Sequence, residues 1–146
     1  MTRIVRLTRG EAQTVLGLAS ALWPEHETAA LLAELEKYAA DEDAALFAAL
    51  EGGGPVAFAQ CTLRKDYVEG AETFPVGYLE GIFVDASFRR KGIGRKLVGA
   101  CEEWSRKKGA VEFGSDCESE NASSAAFHKK AGVAEAGRII CFIRKL

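Results

Sequence analysis

Ile4, Val5 and Leu7 stand among polar residues from Thr2 to Leu7, which is read as a first, half-buried strand. Thr8 and Glu11 follow with capping-box spacing, which predicts a helix running to about Trp23, ahead of Pro24. A second helix is predicted over Thr28 to Ala40, where Leu31, Leu32, Leu35 and Tyr38 share one face. Ala44 to Leu50 and Val56 to Leu63 read as two strands joined by Gly52, Gly53, Gly54 and Pro55. After a polar stretch from Arg64 to Pro75 comes Val76 to Val84, the most apolar strand, expected at the centre of the sheet. Ile93, Leu97, Cys101 and Trp104 then form the stripe of an amphipathic helix. Arg106, Lys107 and Lys108 suit the negative end of that helix, and Gly109 stops it. A further strand covers VEFGSD, and Arg138 to Arg144 alternates around Ile139, Cys141 and Ile143 as an edge strand or one exchanged in a dimer would.

The 146 residues, 48% hydrophobic and 27% charged, match one compact mixed α/β domain over 1–146 with its own core. A net charge of -2 gives no global attraction to nucleic acid or an anionic membrane, so neither is expected as a partner. No run of about 18 apolar residues occurs, and MTRIVRLTRGEAQ lacks the pattern of a secretory signal. A cytoplasmic protein is therefore expected. Cys61, Cys101, Cys117 and Cys141 have no CxxC spacing, so no zinc site or redox pair is predicted, and all four are expected as buried thiols.

The chemistry concentrates after the apolar strand, in Arg89-Arg90-Lys91-Gly92-Ile93-Gly94-Arg95. Glycines at 92 and 94 let a backbone approach a ligand closely, and the free N–H groups of a helix start favour an anion. The flanking cations add full charges suited to phosphate. A dinucleotide fingerprint would need glycine where Leu97 stands, and a Walker A loop would need Gly-Lys-Ser or Gly-Lys-Thr where Gly94 precedes Arg95.

Arg89, Gly92 and Gly94, following the strand LEGIFVD, match the pyrophosphate motif Arg/Gln-x-x-Gly-x-Gly/Ala, and in this the chain resembles the GNAT superfamily of N-acetyltransferases. Within it the chain is most similar to the aminoglycoside 6'-N-acetyltransferases, through Leu22-Trp23-Pro24, Arg64-Lys65-Asp66-Tyr67-Val68-Glu69-Gly70, Pro75-Val76, Leu79-Glu80-Gly81-Ile82-Phe83-Val84, Ser115-Asp116 and Glu120-Asn121. The resemblance implies a mixed, mostly antiparallel sheet splayed at its middle and flanked by helices. It implies acetyl-CoA as cosubstrate, without a metal. The cosubstrate would be held by the backbone of Ile82, Phe83 and Val84, by Arg89, Arg90, Lys91, Gly92, Ile93, Gly94 and Arg95, and by Asn121. The implied reaction is transfer of acetyl to the 6'-amine of an aminoglycoside, conferring resistance.

A polycationic amino sugar calls for carboxylates, and Asp66, Glu69, Glu72, Glu80, Asp116, Glu118 and Glu120 all fall near one edge of the sheet. Glu80 lies inside an apolar strand, where an unpaired carboxylate is costly. It is the candidate proton acceptor for the attacking amine, beside Asp116, which matches the family's amine-binding aspartate; the choice of base stays open between them. A buried ion pair of Glu80 with an arginine is the bland alternative. Trp23 and Tyr67 could stack on the sugar, and His26 and Glu72 join them as substrate-side candidates. His128 stands where the superfamily often has a Tyr that protonates the leaving thiolate. Gly137 replaces an acidic residue that some relatives use across a dimer. The alternatives kept open are acetylation of another amine, such as a polyamine, a different amino sugar or a protein amine, and a module that binds acetyl-CoA or an amino sugar without turnover.

Overall fold

A computed structural model describes residues 1–146. Five strands form one sheet in chain order: β1 (Arg3–Arg6), β2 (Ala44–Glu51), β3 (Gly54–Arg64), β4 (Val76–Val84) and β5 (Phe113–Ser115). All pairs are antiparallel except β4 with β5, which is parallel because helix α3 (Ile93–Lys107) crosses over between them. Helices α1 (Leu16–Leu22) and α2 (Thr28–Ala40) cover one face of the sheet, α3 covers the other, and α4 (Ala122–Lys130) follows β5. No helix is long and apolar enough to cross a membrane. The mixed α/β fold expected from the sequence is the fold observed.

The core is split by the sheet. On the α3 face Ile93, Leu97, Val98, Cys101 and Trp104 pack against Ala45, Ala57, Ala59 and Leu79, which realises the predicted stripe. The opposite face joins Leu35, Val15 and Ala19 to Leu46, Ala48 and Phe58. The most buried strands are β2 and β3, so the centre of the sheet lies one strand earlier than expected. β4 is buried through Leu79 and half-buried from Glu80 onward, because its far half borders an opening.

Two irregularities make that opening. β5 pairs with β4 only from Gly77↔Phe113 to Leu79↔Ser115, so beyond Leu79 the β5 side of β4 has no neighbouring strand. β3 faces β4 with a register shift, Gln60↔Gly81 and then Cys61↔Leu79, which leaves Glu80 as the extra residue of a β-bulge. The bulge reverses the alternation. Leu79 packs on the α3 face and Glu80 bonds to Thr62 and Arg64 on the other, yet Ile82 and Val84 return to the α3 face. The splay expected from the resemblance is thus present, with a carboxylate at its hinge.

Two further expectations need correction. The first predicted helix is a 3-10 segment, Arg9–Val15, followed by α1. Glu11 does close the entry, accepting from the Thr8 N–H and hydroxyl at 2.9 and 2.8 Å, but Gly10, Thr14 and Val15 are poor helix formers. Cys117 and Cys141 are exposed, whereas Cys61 and Cys101 are buried, because the former lie outside the two core layers. The stretch 138–144 pairs with no strand of its own chain, and its Ile139, Ile140, Phe142 and Ile143 are exposed.

Candidate functional site

At the N-terminus of α3 the backbone turns through left-handed conformations at Arg90 (φ 64°) and Gly92 (φ 80°). A non-glycine residue there is uncommon, and alternating hands of this kind turn successive N–H groups toward one concavity. A side chain at Gly92 would meet nothing within 4 Å, so this face is open to a ligand. At Gly94 a Cβ would stand 2.6 Å from the Phe127 ring, so the missing side chain there also lets α4 pack closely against the helix start. The first in-helix amide bond is Lys96 to the Gly92 carbonyl, which leaves the amides before it without that partner. Arg89, Arg90, Lys91 and Arg95 are all exposed around this turn.

Some of these groups also brace the fold. Arg89 Nε donates to the Val84 carbonyl at 2.9 Å with its guanidinium over Phe83, and Arg95 donates to the Lys130 carbonyl at 2.7 Å. Asn121 caps α4, its side-chain oxygen accepting from the Ser124 amide at 3.1 Å. Ile82, Phe83 and Val84 line the unpaired half of β4 between Glu80 and this turn.

On the other side of the hinge Glu80 is held by three donors. Arg64 grips it in a fork, Nη2 to Oε1 at 2.7 Å and Nε to Oε2 at 2.9 Å, and the Thr62 hydroxyl donates to Oε2 at 2.7 Å. The ion pair of Glu80 with an arginine therefore exists, and the hydrogen bonds that Arg64 donates to Glu80 raise the pKa of its guanidinium. The guanidinium lies 3.5 Å above the Tyr78 ring, and the Tyr78 hydroxyl donates to Asp116 Oδ2 at 2.5 Å. Burial, with that bond to Asp116, pushes the Tyr78 phenol well above its usual range. The two candidate carboxylates are thus ends of one network, Glu80, Arg64, Tyr78, Asp116. Arg64 and Tyr78 carry no chemical signature in the sequence; only their parity with Thr62 and Glu80 along the strands points to them.

Trp23 lies against this hinge, since a Cβ on Gly81 would come within 3.1 Å of its ring, and His26 meets Trp23 edge-on at 6.3 Å. Tyr67 is exposed and donates to Glu69, while Glu72 is exposed on the same loop. That loop is fastened by Glu112 Oε1, which accepts from the Glu72 amide (2.9 Å), the Thr73 amide (2.7 Å) and the Thr73 hydroxyl (2.5 Å). The Thr73 hydroxyl first, then the two amides, lower the Glu112 pKa. A depressed carboxyl keeps its tie above the usual glutamate value of about 4.3 and loses it as pH falls through the lower folded value. Protection of the Glu72 and Thr73 amides against exchange, relative to their intrinsic rates, is expected to fall about tenfold in Glu112→Gln at neutral pH, and to fall so in the parent chain only in acid. Equal protection in the two proteins at neutral pH would refute the tie.

His128 is more constrained than a loop histidine. Nδ1 faces the Ser124 carbonyl at 2.7 Å, which fixes the proton there, and Nε2 lies 2.8 Å from Ser115 Oγ. Ser115 is the last residue of β5, at the apex of the opening.

Comparison with known proteins agrees with this geometry. The acetyltransferase (GNAT) family profile matches residues 12–133. The chain is 40% identical over 129 residues to an aminoglycoside N(6')-acetyltransferase type 1 of Salmonella typhimurium, covering 88% of each chain. It is 36% identical over 140 residues to one of Stenotrophomonas maltophilia, covering 95% of this chain and 90% of the relative. Among solved structures, AAC(6')-Iy in complex with the bisubstrate analog CoA-S-monomethyl-acetylneamine superposes with a TM-score of 0.95 at 34% identity, covering 100% of this chain and 99% of that one. AAC(6')-Ih from Acinetobacter baumannii gives 0.92 at 31% identity, with 100% and 99% coverage. A glycine-turned anion cradle, a splayed sheet and a carboxylate at the splay, together with this likeness over nearly the whole chain, establish that the protein belongs to the acetyltransferase (GNAT) family.

Proposed function

We propose that the chain, as a single N-acetyltransferase domain, transfers the acetyl group of acetyl-CoA to the 6'-amine of aminoglycosides. The observation that carries this is the hinge at Glu80, which sets two carboxylates beside a half-open strand that leads to the cradle at α3. The relatives named as aminoglycoside N(6')-acetyltransferases support the substrate class.

The residues suit the cosubstrate. Arg90, Lys91, Arg95 and the open turn at Gly92 would hold its phosphates, and Asn121 keeps an amide group free beyond its cap. Acetyl-CoA supplies an activated thioester. Along the unpaired half of β4, backbone N–H groups between Ile82 and Val84 would stabilise negative charge on its carbonyl oxygen as the amine adds. Glu80, or Asp116, accepts the amine's proton directly or through one water, because an ammonium has no lone pair with which to attack. Ser115 and His128, with 2.8 Å between Oγ and Nε2, would relay a proton to the leaving sulfur. The exposed rim formed by Tyr67, Glu72 and His26, with Trp23 behind it, would receive the sugar.

Thiol release from acetyl-CoA tests the reading, using kanamycin, tobramycin, a 6'-hydroxyl analogue and spermidine. Turnover of the 6'-amino compounds alone is expected; turnover of spermidine alone would replace the substrate class. Gly92→Val should raise the KM for acetyl-CoA about tenfold or more with kcat at saturation preserved, because a branched residue resists positive φ and fills the open face. An unchanged KM would remove Gly92 from the cosubstrate site.

We further propose that the protein acts in the cytoplasm as a homodimer. The exposed Ile139, Phe142 and Ile143 support a segment that a second copy covers. Sedimentation equilibrium should give twice the 15.7 kDa chain mass, and the chain mass itself after Phe142→Asp with Ile143→Asp. A monomeric parent protein would overturn this.

A further inference from the structure

Glu80 has more partners than a proton acceptor needs, and they are arranged. A carboxylate offers about four lone-pair positions. Oε2 accepts from Arg64 Nε and from the Thr62 hydroxyl, and Oε1 accepts from Arg64 Nη2, so capacity for a further donor remains on Oε1. A two-pronged guanidinium fixes the plane of the carboxylate as well as its place, which a lysine could not do. Thr62 and Arg64 stand two residues apart on β3, so they share a face, and the bulge delivers Glu80 to that same face. The Arg64 guanidinium carbon also sits over the Tyr78 ring, 3.5 Å from its centroid, and Tyr78 donates to Asp116. One side chain therefore touches the supports of both carboxylates.

We propose that Arg64 is a positioning residue for acetyl transfer: its fork presents a single oxygen of Glu80 to the acceptor amine, and its stacking on Tyr78 holds Asp116 at a fixed place beside it. This rests on the aminoglycoside reading, since it assumes that an amine reacts at Glu80. Arg64 acts through Glu80 and Tyr78. The substrate's own cations meet Asp116 and the exposed acidic rim, and the fork persists while they bind.

The role separates from simple charge balance and from simple folding. Arg64→Lys keeps the charge and loses the fork; Arg64→Gln loses both. Each is expected to lower kcat with kanamycin about a hundredfold, the scale on which misplacement of about 1 Å acts, while the KM for acetyl-CoA and the melting temperature stay near those of the parent. Thr62→Val should have a smaller effect in the same direction. Full activity in Arg64→Lys would show that charge alone matters and overturn the proposal. So would a kcat within threefold of the parent in Arg64→Gln, or a melting temperature and acetyl-CoA affinity that fall in step with kcat. A second readout needs no turnover: the Arg64 Nε–H resonance in 15N-labelled protein should be visible at neutral pH, vanish in Glu80→Ala, which leaves no acceptor, and survive addition of kanamycin. Its loss on adding kanamycin would mean that the fork is exchanged for the substrate, which contradicts the proposal. If the parent protein acetylates none of the amines, the functional reading falls, and this resonance still decides whether the fork is a standing clamp.

Discussion

Glu80→Gln is expected to lower kcat for a 6'-amino acceptor by about 10²- to 10³-fold, with the KM for acetyl-CoA unchanged, because removing a positioned proton acceptor costs a factor in this range. The amide keeps one acceptor oxygen for the Arg64 and Thr62 donors, so the shape of the site survives. What disappears is the negative charge and the ability to take a proton. The side-chain exposures, 39% for Arg64 and 20% for Glu80, let water solvate the orphaned guanidinium, and the loss of stability should stay near 1 kcal/mol, as for partly exposed pairs. A kcat within threefold of the parent would transfer the proton to Asp116 or to solvent, and the parallel Asp116→Asn variant would tell which. If both variants retain activity, neither carboxylate is the base.

The largest expected effect on stability lies away from the chemistry. A Cβ on Gly77 would stand 2.2 Å from Ser105 Oγ, 2.5 Å from Ser105 Cβ and 3.0 Å from Phe113. Ser105 cannot swing aside cheaply, since it is buried in α3 with its hydroxyl bonded to the Cys101 carbonyl at 2.8 Å. Gly77→Ala should therefore cost about 3 kcal/mol, at the upper end for overpacking, and lower the melting temperature by about 10 °C. Ser105→Gly in the same chain removes both of the nearest clashing atoms and should recover most of the loss, although Ser105→Gly alone weakens α3. A melting temperature within 2 °C of the parent in Gly77→Ala would show that β4 and α3 separate easily. That would contradict the close packing on which the parallel β4–β5 pair depends.

The elements that follow a strict period were legible. Helix α2 and strand β4 end where the sequence places them, because Leu31 and Leu35 recur at helical spacing and the run from Val76 to Val84 is bounded by Pro75 and Asp85. The helix stripe of Ile93, Leu97, Cys101 and Trp104 is buried as expected. The 3-10 start before α1 was not legible, since the capping box fixes where a helix opens and not how tightly it winds. In the site, the cradle and Glu80 announce themselves by composition, as glycines among cations and a carboxylate among apolar residues. Arg64, Tyr78 and Ser115 do not. Their importance depends on which residue of the next strand lies opposite, and a single extra residue in β4 changes that pairing without leaving a mark in the periodicity. The close approach of α4 to Gly94 is hidden for a related reason: it comes from Phe127, thirty-three positions away.

That extra residue also limits how the protein can be altered. A strand counts in twos, and β4 is counted from two different origins: up to Glu80 its odd and even positions face one way, and from Ile82 they have exchanged sides. The stretch that carries Glu80 and the stretch that leads to the cradle are thus written on one strand in two phases, with residue 80 as the phase shift. Deleting that residue would leave a regular ladder with no carboxylate to offer. Leu79↔Cys61 and Gly81↔Gln60 would become neighbouring pairs, with Ile82 and Val84 still on the face that now buries them, so the fold can lose residue 80 while the hinge loses both its irregularity and its charge.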